Sequence, residues 1–381
     1  MLYRLGAVCA MVFMVSLSYG GGHVRTLRHI DVNSSFGDDA VVDGERIAVR
    51  CHDRVLVFHG QNDLTWDIPL PEAHRFTGVG DQTVVLWGDY VVYSVPAENK
   101  ACMVKIETGE LVREFVRSEP PSLLYRGGFG FAIARSGDKL FVYDWSVNFD
   151  AYNNYSEGLI ECYDLNSGQH LWRSTNPSMG ASLIPRFIVR NLEVIAPLAF
   201  SQSMQSAEFL RVLVETGGIV GIVRRPDVVQ GNAPFGTSFG ANSESFFVGQ
   251  GGTLYGGGLL VLDNSGSVTK AVRSPDVWRI GYTLVADNRH VFSGDGSFYT
   301  ADPSEPSIAA FDAKTMKQTG SIFPPESALR FGEKLYLGPS FLAVKGMEQI
   351  AETHWLQGVL YIYPRDIFDR VTAAQGWECF E

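Results

Sequence analysis

The sequence predicts an all-β protein, a seven-bladed β-propeller whose blades are four-stranded antiparallel sheets. Three observations predict this fold: a unit of short strands recurs along the chain, glycine is abundant at its turns, and helical periodicity is nowhere sustained. The 381 residues are 45% hydrophobic and 19% charged, which excludes a disordered chain. The net charge of −11 argues against a nucleic-acid or polybasic membrane-surface protein, because both need a basic face.

The first element of the chain has the pattern of an export signal. Arg4 is its single positive charge, an apolar run extends from Leu5 to Leu17, and small residues follow. The run is shorter than the roughly 20 residues of a membrane-spanning helix. We therefore expect residues 1–20 to be a signal peptide, and residues 21–381 to form one exported domain, extracellular or periplasmic, without a membrane span.

The repeat is clearest at residues 129–177. Phe129-Gly130 opens this unit, and four short strands follow, separated by a turn at Gly137, a polar loop over residues 144–157 and a turn at Gly168. Similar units predict blades at about residues 35–71, 78–117, 128–177, 185–226, 235–275, 280–325 and 329–372. The unit at 185–226 is the weakest, so the blade count depends on it.

A radial arrangement explains why such units recur. Each sheet buries its apolar faces against its neighbours, and the ring closes without a bare edge. A β-helix would need a period nearer 20 residues, and a pair of sandwiches would not give seven similar units. The strand-like residues 23–32 or the tail after Phe368 would close the ring, and the sequence does not decide between them.

Two motifs carry a resemblance to known repeats. A Phe-Gly opening, a Gly-Asp turn and a strand ending in Tyr/Cys-x-Asp resemble the FG-GAP repeats of integrin-α-like propellers. The stretch from Glu161 to Trp172 is also similar to a quinoprotein (PQQ-like) repeat. Together these resemblances cover about residues 35–370 and imply a propeller. We expect Trp66 and Trp172, which stand on fourth strands, to pack between blades rather than to hold a quinone.

Integrin-type FG-GAP repeats often bind calcium through an Asp-x-Asp-x-Asp-Gly loop, and this sequence departs from that pattern. Its nearest acidic loops lack the alternating ligands with which a short loop surrounds Ca²⁺. The weak candidate ligands in those loops are Asp144, Asp150, Asn153, Glu157, Asp295 and Asp302. We therefore expect no cofactor, with calcium as the one ion that these loops would admit.

Four cysteines remain after removal of the signal peptide. They are Cys51, Cys102, Cys162 and Cys379. No pair forms a Cys-x-x-Cys motif, so zinc and thioredoxin-type chemistry have no support. Export permits disulfides, and both the three possible pairings and free buried thiols remain open.

The functional prediction is a non-catalytic binding or scaffold module that engages a protein or a glycan through loops on one face. The sequence contains no nucleophile elbow, no His-Glu-x-x-His motif and no Walker loop. The 144–157 loop is unusually aromatic, and exposed aromatic residues are common anchors of binding. The candidate partner-binding residues are Trp145, Phe149, Tyr152 and Tyr155.

Two other functions remain open at this point. One is an extracellular enzyme of the glycosidase or lyase kind, with carboxylates in the axial channel of the propeller. Three or more ionisable side chains from different blades meeting in the channel would favour that enzyme, whereas an apolar channel would favour a binding module. The other is an architectural role in envelope assembly, as the quinoprotein-like resemblance implies.

Overall fold

A computed structural model defines the architecture. It describes residues 23–24, 28–31, 39–59, 64–75, 83–118, 125–150, 153–176, 187–198, 208–224, 239–250, 258–273, 283–294, 301–349, 356–369 and 378–380. These residues form seven sheets, each with four antiparallel ring strands, arranged as a seven-bladed β-propeller, so the predicted fold class is confirmed. The helices of the described residues are three 3-10 turns, η1 (Glu72–His74), η2 (Pro96–Glu98) and η3 (Arg365–Phe368).

Each blade contains an inner, a second, a third and an outer strand. The inner strands are β3 (Asp39–Asp43), β7 (Val84–Trp87), β11 (Tyr125–Ser136), β15 (Ile188–Arg190), β19 (Phe239–Ala241), β23 (Thr283–Ala286) and β27 (Ala328–Leu337). The second strands are β4 (Arg46–Arg50), β8 (Tyr90–Val95), β12 (Lys139–Asp150), β16 (Glu193–Leu198), β20 (Phe246–Gln250), β24 (His290–Gly294) and β28 (Phe341–Gln349). The third strands are β5 (Arg54–His59), β9 (Lys100–Lys105), β13 (Asn153–Asp164), β17 (Glu208–Leu213), β21 (Gly258–Leu262), β25 (Ile308–Asp312) and β29 (Leu356–Pro364).

The outer strands of the first six blades follow directly in sequence, whereas that of blade seven comes from the start of the chain. The six are β6 (Leu64–Pro69), β10 (Leu111–Val116), β14 (His170–Asn176), β18 (Ile219–Arg224), β22 (Val268–Arg273) and β26 (Gln318–Ile322). The outer strand of blade seven is β2 (Arg28–Asp31), which pairs antiparallel with β29. Of the two predicted ways to close the ring, the N-terminal strand is therefore the one that the structure shows.

The other terminal strands cover the outer edges of neighbouring blades. β1 (His23–Val24) pairs parallel with β26 of blade six, and β30 (Glu378–Phe380) pairs antiparallel with β22 of blade five. Each of these two blades thus has five strands. The C-terminal tail therefore pairs with blade five, and the N-terminal strand β2 completes blade seven.

The propeller has two different faces. Glycine turns such as those at Gly137 and Gly168 lie on one face, which we call the turn face. The two turns of one blade are joined there, since the backbone N–H of Leu165 donates to the carbonyl of Asp138 at 2.7 Å. The connections from second to third strand, and from one blade to the next, lie on the opposite face, which we call the loop face.

The core lies between the blades, because alternate residues of each strand face opposite neighbours. In β12, Phe141 and Tyr143 pack against blade four, whereas Leu140 and Val142 pack against blade two. The indole N–H of Trp172 donates to the carbonyl of Val214 in the next blade at 3.0 Å. Trp66 packs into the cluster between blades one and two. The prediction that these tryptophans pack between blades is confirmed.

The prediction of a polar loop over residues 144–157 is wrong. β12 and β13 run through this segment and stay paired up to Asp150 and Asn153. The sequence from Trp145 to Phe149 alternates apolar and polar residues, which is the period of a strand with two different faces. The polar positions of that alternation suggested a loop.

Among the described residues, the strands of blades three and seven extend furthest on the loop face. Their inner strands have 12 and 10 residues, against 3 to 5 in the remaining blades. In both, the ladder skips two residues after the Phe of a Phe-Gly pair, Phe129 and Phe331. We call residues 125–129, 144–150 and 153–158 the blade-three extension, and residues 328–331, 345–349 and 356–359 the blade-seven extension.

Candidate functional site

The inner strands of all seven blades line an axial channel of about 490 Å³. Most of the residues that contribute to its wall are aliphatic. Among them are Val41, Val85, Ile133, Val189, Val285 and Leu335. The charged residues that line the channel are Asp39, Asp43, Arg135 and Lys334. They come from three blades, so their geometry decides whether the channel is a candidate active site.

Asp39 occupies the end of the channel that opens on the loop face. Its buried carboxylate accepts a hydrogen bond from the backbone N–H of Thr83 in blade two at 2.5 Å. From blade seven, the Lys334 ammonium lies 3.6 Å away and the Tyr336 hydroxyl donates to it at 3.5 Å. Asp39 thus joins the start of blade one to its two neighbours.

Asp43 and Arg135 occupy the end of the channel that opens on the turn face. A guanidinium nitrogen of Arg135 lies 2.7 Å from the Asp43 carboxylate, and its Nε donates to the carbonyl of Leu86. Arg46 of blade one also contacts Asp43, at 3.4 Å. This arrangement ties together the turns of blades one, two and three.

The two channel carboxylates do not form a catalytic pair. Asp39 and Asp43 stand four residues apart on β3, which separates their Cα atoms by about 13 Å. Hydrolysis of glycosidic bonds requires carboxyl groups roughly 5 to 9.5 Å apart. Each carboxylate is also held by side chains or backbone of a neighbouring blade. The channel charges therefore lie at its two ends, in contacts between blades.

The blade-three extension contains the predicted partner-binding residues and divides them between its two faces. The positions of Trp145 and Phe149 alternate in step with Tyr143, so they lie on the face directed over blade four. Tyr155 is paired with Asn148 and lies on the face directed over blade two. Tyr152 lies outside the described residues. The face over blade four thus holds two of the four aromatic positions.

The candidate metal ligands of the same segment are also distributed by the strands. Asp144, Asp150, Asn153 and Glu157 share the face over blade two, but Asp144 and Asp150 lie about 20 Å apart along β12. Only Asp150 and Asn153 stand directly opposite each other. Since Ca²⁺ takes six to eight oxygen ligands within about 2.6 Å, a site in this segment would draw on positions that lie closer together than Asp144 and Asp150.

The remaining candidate ligands lie in blade six. The Asp302 carboxylate accepts hydrogen bonds from the Ser304 backbone N–H at 2.8 Å and from its hydroxyl at 2.6 Å, as in an ordinary turn. Asp295 lies outside the described residues. Within the described part of the chain, the structure contains no group of three His, Cys, Asp or Glu side chains able to hold a metal.

A buried carboxylate at the base of the blade-three extension was missed by the sequence analysis. Glu161 is fully buried, and it accepts hydrogen bonds from the Ser118 backbone N–H at 3.1 Å, from its hydroxyl at 3.0 Å and from the Tyr163 hydroxyl. Ser118 lies where the chain leaves blade two for the extension. A glutamate within the apolar run from Leu159 to Tyr163 was the available signal.

The cysteine side chains that the structure describes are buried and free of disulfides. They are Cys51, Cys102 and Cys162. Burial raises the pKa of the Cys102 thiol to about 11 and that of Cys162 to about 12. Both groups are therefore protonated thiols at neutral pH, which makes them poor nucleophiles. Cys379 is a position of β30, at the edge of blade five.

Comparison with known proteins supports the fold alone. No protein-family model matches the sequence, and no curated protein matches it significantly. Hydrazine synthase of Kuenenia stuttgartiensis is similar in structure, with a TM-score of 0.52, 11% identity, and coverage of 86% of this chain and 96% of that one. Sqt1 of Saccharomyces cerevisiae has a TM-score of 0.47, 11% identity, and coverage of 91% and 99%. Hsv2 of Kluyveromyces lactis has a TM-score of 0.48, 8% identity, and coverage of 86% and 96%.

These comparisons leave the resemblance to FG-GAP and quinoprotein-like repeats a prediction. A structural similarity at 11% identity shows that the two chains share the propeller fold. It carries no information about the activity of this protein. As to membrane insertion, none of the helices among the described residues is long and apolar enough to cross a bilayer.

Proposed function

We propose that this protein is an exported, non-catalytic propeller that binds a partner protein on its loop face, with the blade-three extension as the principal contact. The observation that carries the proposal is the extension itself, a sheet that rises from one blade beside the mouth of the channel. Among the described residues, the inner strands of the other blades, blade seven apart, are three to five residues long. A raised sheet adds contact surface without contributing to the core between blades.

The channel favours binding over the alternative of an extracellular glycosidase or lyase. An enzyme of that kind needs carboxylates that reach a substrate from one site. In the described channel, Asp39 and Asp43 lie at opposite ends and are engaged by neighbouring blades. The rigidity that these contacts supply suits a scaffold, because a binding surface is most effective when it is held in place.

The binding face is tested by two matched double variants. Trp145→Ser with Phe149→Ser removes aromatic side chains from the blade-three extension. Leu192→Ser with Ile219→Ser removes exposed apolar side chains, 67% and 49% accessible, from blade four near the turn face. Each immobilised protein is used to capture partners from the exported protein fraction of its source. We expect the first variant to capture at least five-fold less partner than the original chain does. The second variant should capture as much as the original chain.

The reverse result would place the binding surface on the turn face and refute the proposal. Unchanged capture by both variants would refute a role for the aromatic positions of the extension. Periodate treatment of the exported fraction separates the two ligand classes, because it destroys glycans and leaves the polypeptide. We expect capture to survive the treatment, and a loss of capture would show that the ligand is a glycan.

Export is tested independently of binding. The full chain should be recovered outside the cytoplasm with Gly21 as its first residue, since residues 1–20 have the pattern of a cleaved signal peptide. Cell fractionation and N-terminal sequencing make the measurement. Recovery of the intact chain in the cytoplasm would contradict the proposal of export and leave the binding face untouched.

A further inference from the structure

We propose that the outer corner of blade four, at the turn face, is the contact between two copies of this chain, which pack there about a twofold axis. The corner consists of Leu192, Leu213, Ile219 and Val220, and we call it the blade-four corner. It lies away from the loop face, so a dimer formed there leaves both loop faces free for the proposed partner. The dimer does not depend on the proposed function.

The first observation is a concentration of exposed apolar side chains. Among the described residues, nine large apolar side chains are exposed, and four of them form the blade-four corner. Two backbone hydrogen bonds hold these positions together. The N–H of Val214 donates to the carbonyl of Leu192 at 2.8 Å, and the N–H of Leu213 donates to the carbonyl of Gly218 at 2.9 Å. An exposed apolar cluster of this kind marks a surface of interaction.

The second observation is the way in which the outer edges of the blades are protected. Natural proteins protect the edge of a sheet with charged residues, with proline or with a covering strand. Blades five and six have covering strands, β30 and β1. The outer strands of blades one, two, three and seven contain charged residues, which are Asp67, Arg113, Glu114, Arg173, Arg28 and Asp31.

The outer strand of blade four lacks these protections. β18 is the terminal strand of its sheet, and its residues 219–223 read Ile-Val-Gly-Ile-Val, without a charge or a proline. A Cβ at Gly221 would meet nothing within 4 Å, so the middle of this edge is open. A one-residue bulge near the start of the strand does not set β18 apart, because the outer strands of blades one to six all have it.

The third observation, the charge of blade four, favours a second copy as the occupant. The chain has a net charge of −11, so two copies repel each other on average. In blade four, the charged side chains that the structure describes are two arginines and two glutamates, which balance. They are Arg190, Glu193, Arg211 and Glu215. A neutral apolar surface matches a second copy of itself, and twofold pairs are the commonest oligomers.

A lipid surface fits this corner less well. Segments that lie on a membrane surround their apolar residues with lysine and arginine, which contact anionic headgroups. The described charges of blade four show no basic excess, since Arg211 pairs with Glu193 at 2.7 Å and Glu215 pairs with Lys139 of blade three at 3.1 Å. We therefore assign the corner to a second copy, and binding to lipid vesicles is the contrary outcome of the test.

The test measures the mass of the full mature chain over a range of concentrations by analytical ultracentrifugation. We expect a reversible dimer. Ile219→Ser with Val220→Ser removes two apolar side chains of the corner. Leu111→Ser with Val112→Ser is the matched control, because these residues take the same two positions in β10 of blade two and are 47% and 43% accessible. We expect the first variant to raise the dissociation constant of the dimer at least ten-fold and the second to leave it unchanged.

A cross-link locates the contact. Near a twofold axis, a residue of one copy lies close to the same residue of the other. Val220→Cys should therefore give a covalent dimer with a short bis-maleimide, whereas Val112→Cys should not. The original chain is the control for the native cysteines, and circular dichroism checks that each variant folds.

Several outcomes would overturn the proposed dimer. They are a monomer at the highest soluble concentration, equal effects of the two double variants, or equal cross-linking of the two cysteine variants. If the original chain binds vesicles of phosphatidylcholine and phosphatidylserine and the Ile219→Ser, Val220→Ser variant does not, the corner is a membrane contact instead. Partner capture is measured separately. It fails as a proposal only if Trp145→Ser with Phe149→Ser captures as much partner as the original chain, whatever the mass.

Discussion

Gly217 shows how closely neighbouring blades approach at a single residue. It stands in a turn of blade four with φ of +69°, and a Cβ there would lie 2.5 Å from Cε3 of Trp172 in blade three. Gly44 has a similar φ of +59° but nothing within 4 Å of its Cβ position. We expect Gly44→Ala to cost about 1 to 2 kcal/mol from backbone strain alone. Gly217→Ala should cost roughly 1 to 3 kcal/mol more, because the indole ring must move.

Urea denaturation of the two variants measures this difference. Equal losses in the free energy of unfolding would contradict the packing of Trp172 against blade four. The tryptophan itself was predictable from its place on a fourth strand. Its glycine partner was not, because the contact joins two blades and depends on how far each is rotated.

His290 makes stability depend on pH. Its ring is buried, with Nε2 3.1 Å from the Asp369 carboxylate and Nδ1 3.1 Å from the Arg365 guanidinium. Asp287 and Arg289 belong to the same cluster. Burial and the charge of Arg365 lower the pKa of His290, so the folded state resists protonation. The unfolded chain accepts that proton below about pH 6.5, and stability therefore falls as the pH drops below that value.

We expect His290→Gln to flatten the decline in the free energy of unfolding between pH 7 and pH 5. His74, whose pKa burial also lowers, keeps its contribution in that variant. Urea denaturation at several pH values makes the measurement, and an unchanged slope would contradict this account of His290. In the sequence, His290 was one of several scattered histidines. Its partners Arg365 and Asp369 lie more than seventy residues away, so the cluster exists only in the folded chain.

Among the individual strands, β2 has the largest expected effect, because it completes blade seven. It pairs with β29 over four residues, whereas β1 pairs with β26 over two. Proline lacks a backbone N–H and disrupts a strand ladder. We expect Ile30→Pro to lower the melting temperature clearly more than Val24→Pro does, and to broaden the transition because the ring is no longer closed. Similar melting curves for both variants would contradict closure by β2.

The strands differed in how well the sequence predicted them. Short apolar strands between glycine turns, such as β12 up to Tyr143, were correctly predicted. The continuation from Trp145 to Asp150 was not, because its apolar and polar residues alternate and do not form a continuous apolar run. The order of the blades followed from the repeat, whereas the position of β30 on blade five had no signal in the sequence.

For the molecule as a whole, the buried cysteines report on global unfolding. Cys51, Cys102 and Cys162 lie in three different blades, and all three side chains are buried. We expect these three thiols to resist a thiol reagent in the native protein and to react together in denaturant. Mass spectrometry of labelled peptides identifies each site. If the reagent labelled Cys102 or Cys162 in the native protein as fast as it labels a small thiol compound in solution, that result would contradict their burial.

The number of sheets is the one that the repeat predicts, and the weak fourth unit forms a sheet of its own from β15 to β18. A repeat fixes the number of sheets because each sheet requires the same apolar pattern. The candidate site was less predictable. Whether Trp145 and Tyr155 share a face depends on strand register, and whether Asp39 and Asp43 reach one substrate depends on the position of the channel.

Closure of the ring by β2 has a consequence for biosynthesis. A ribosome makes Arg28–Asp31 before any blade, yet their partner β29 lies more than three hundred residues later. β2 therefore has no partner strand until nearly the entire polypeptide has been synthesised. Blades one to six take their four ring strands from consecutive segments and can form as these emerge, whereas the seventh blade, and with it the closed ring, can form only when synthesis is almost finished.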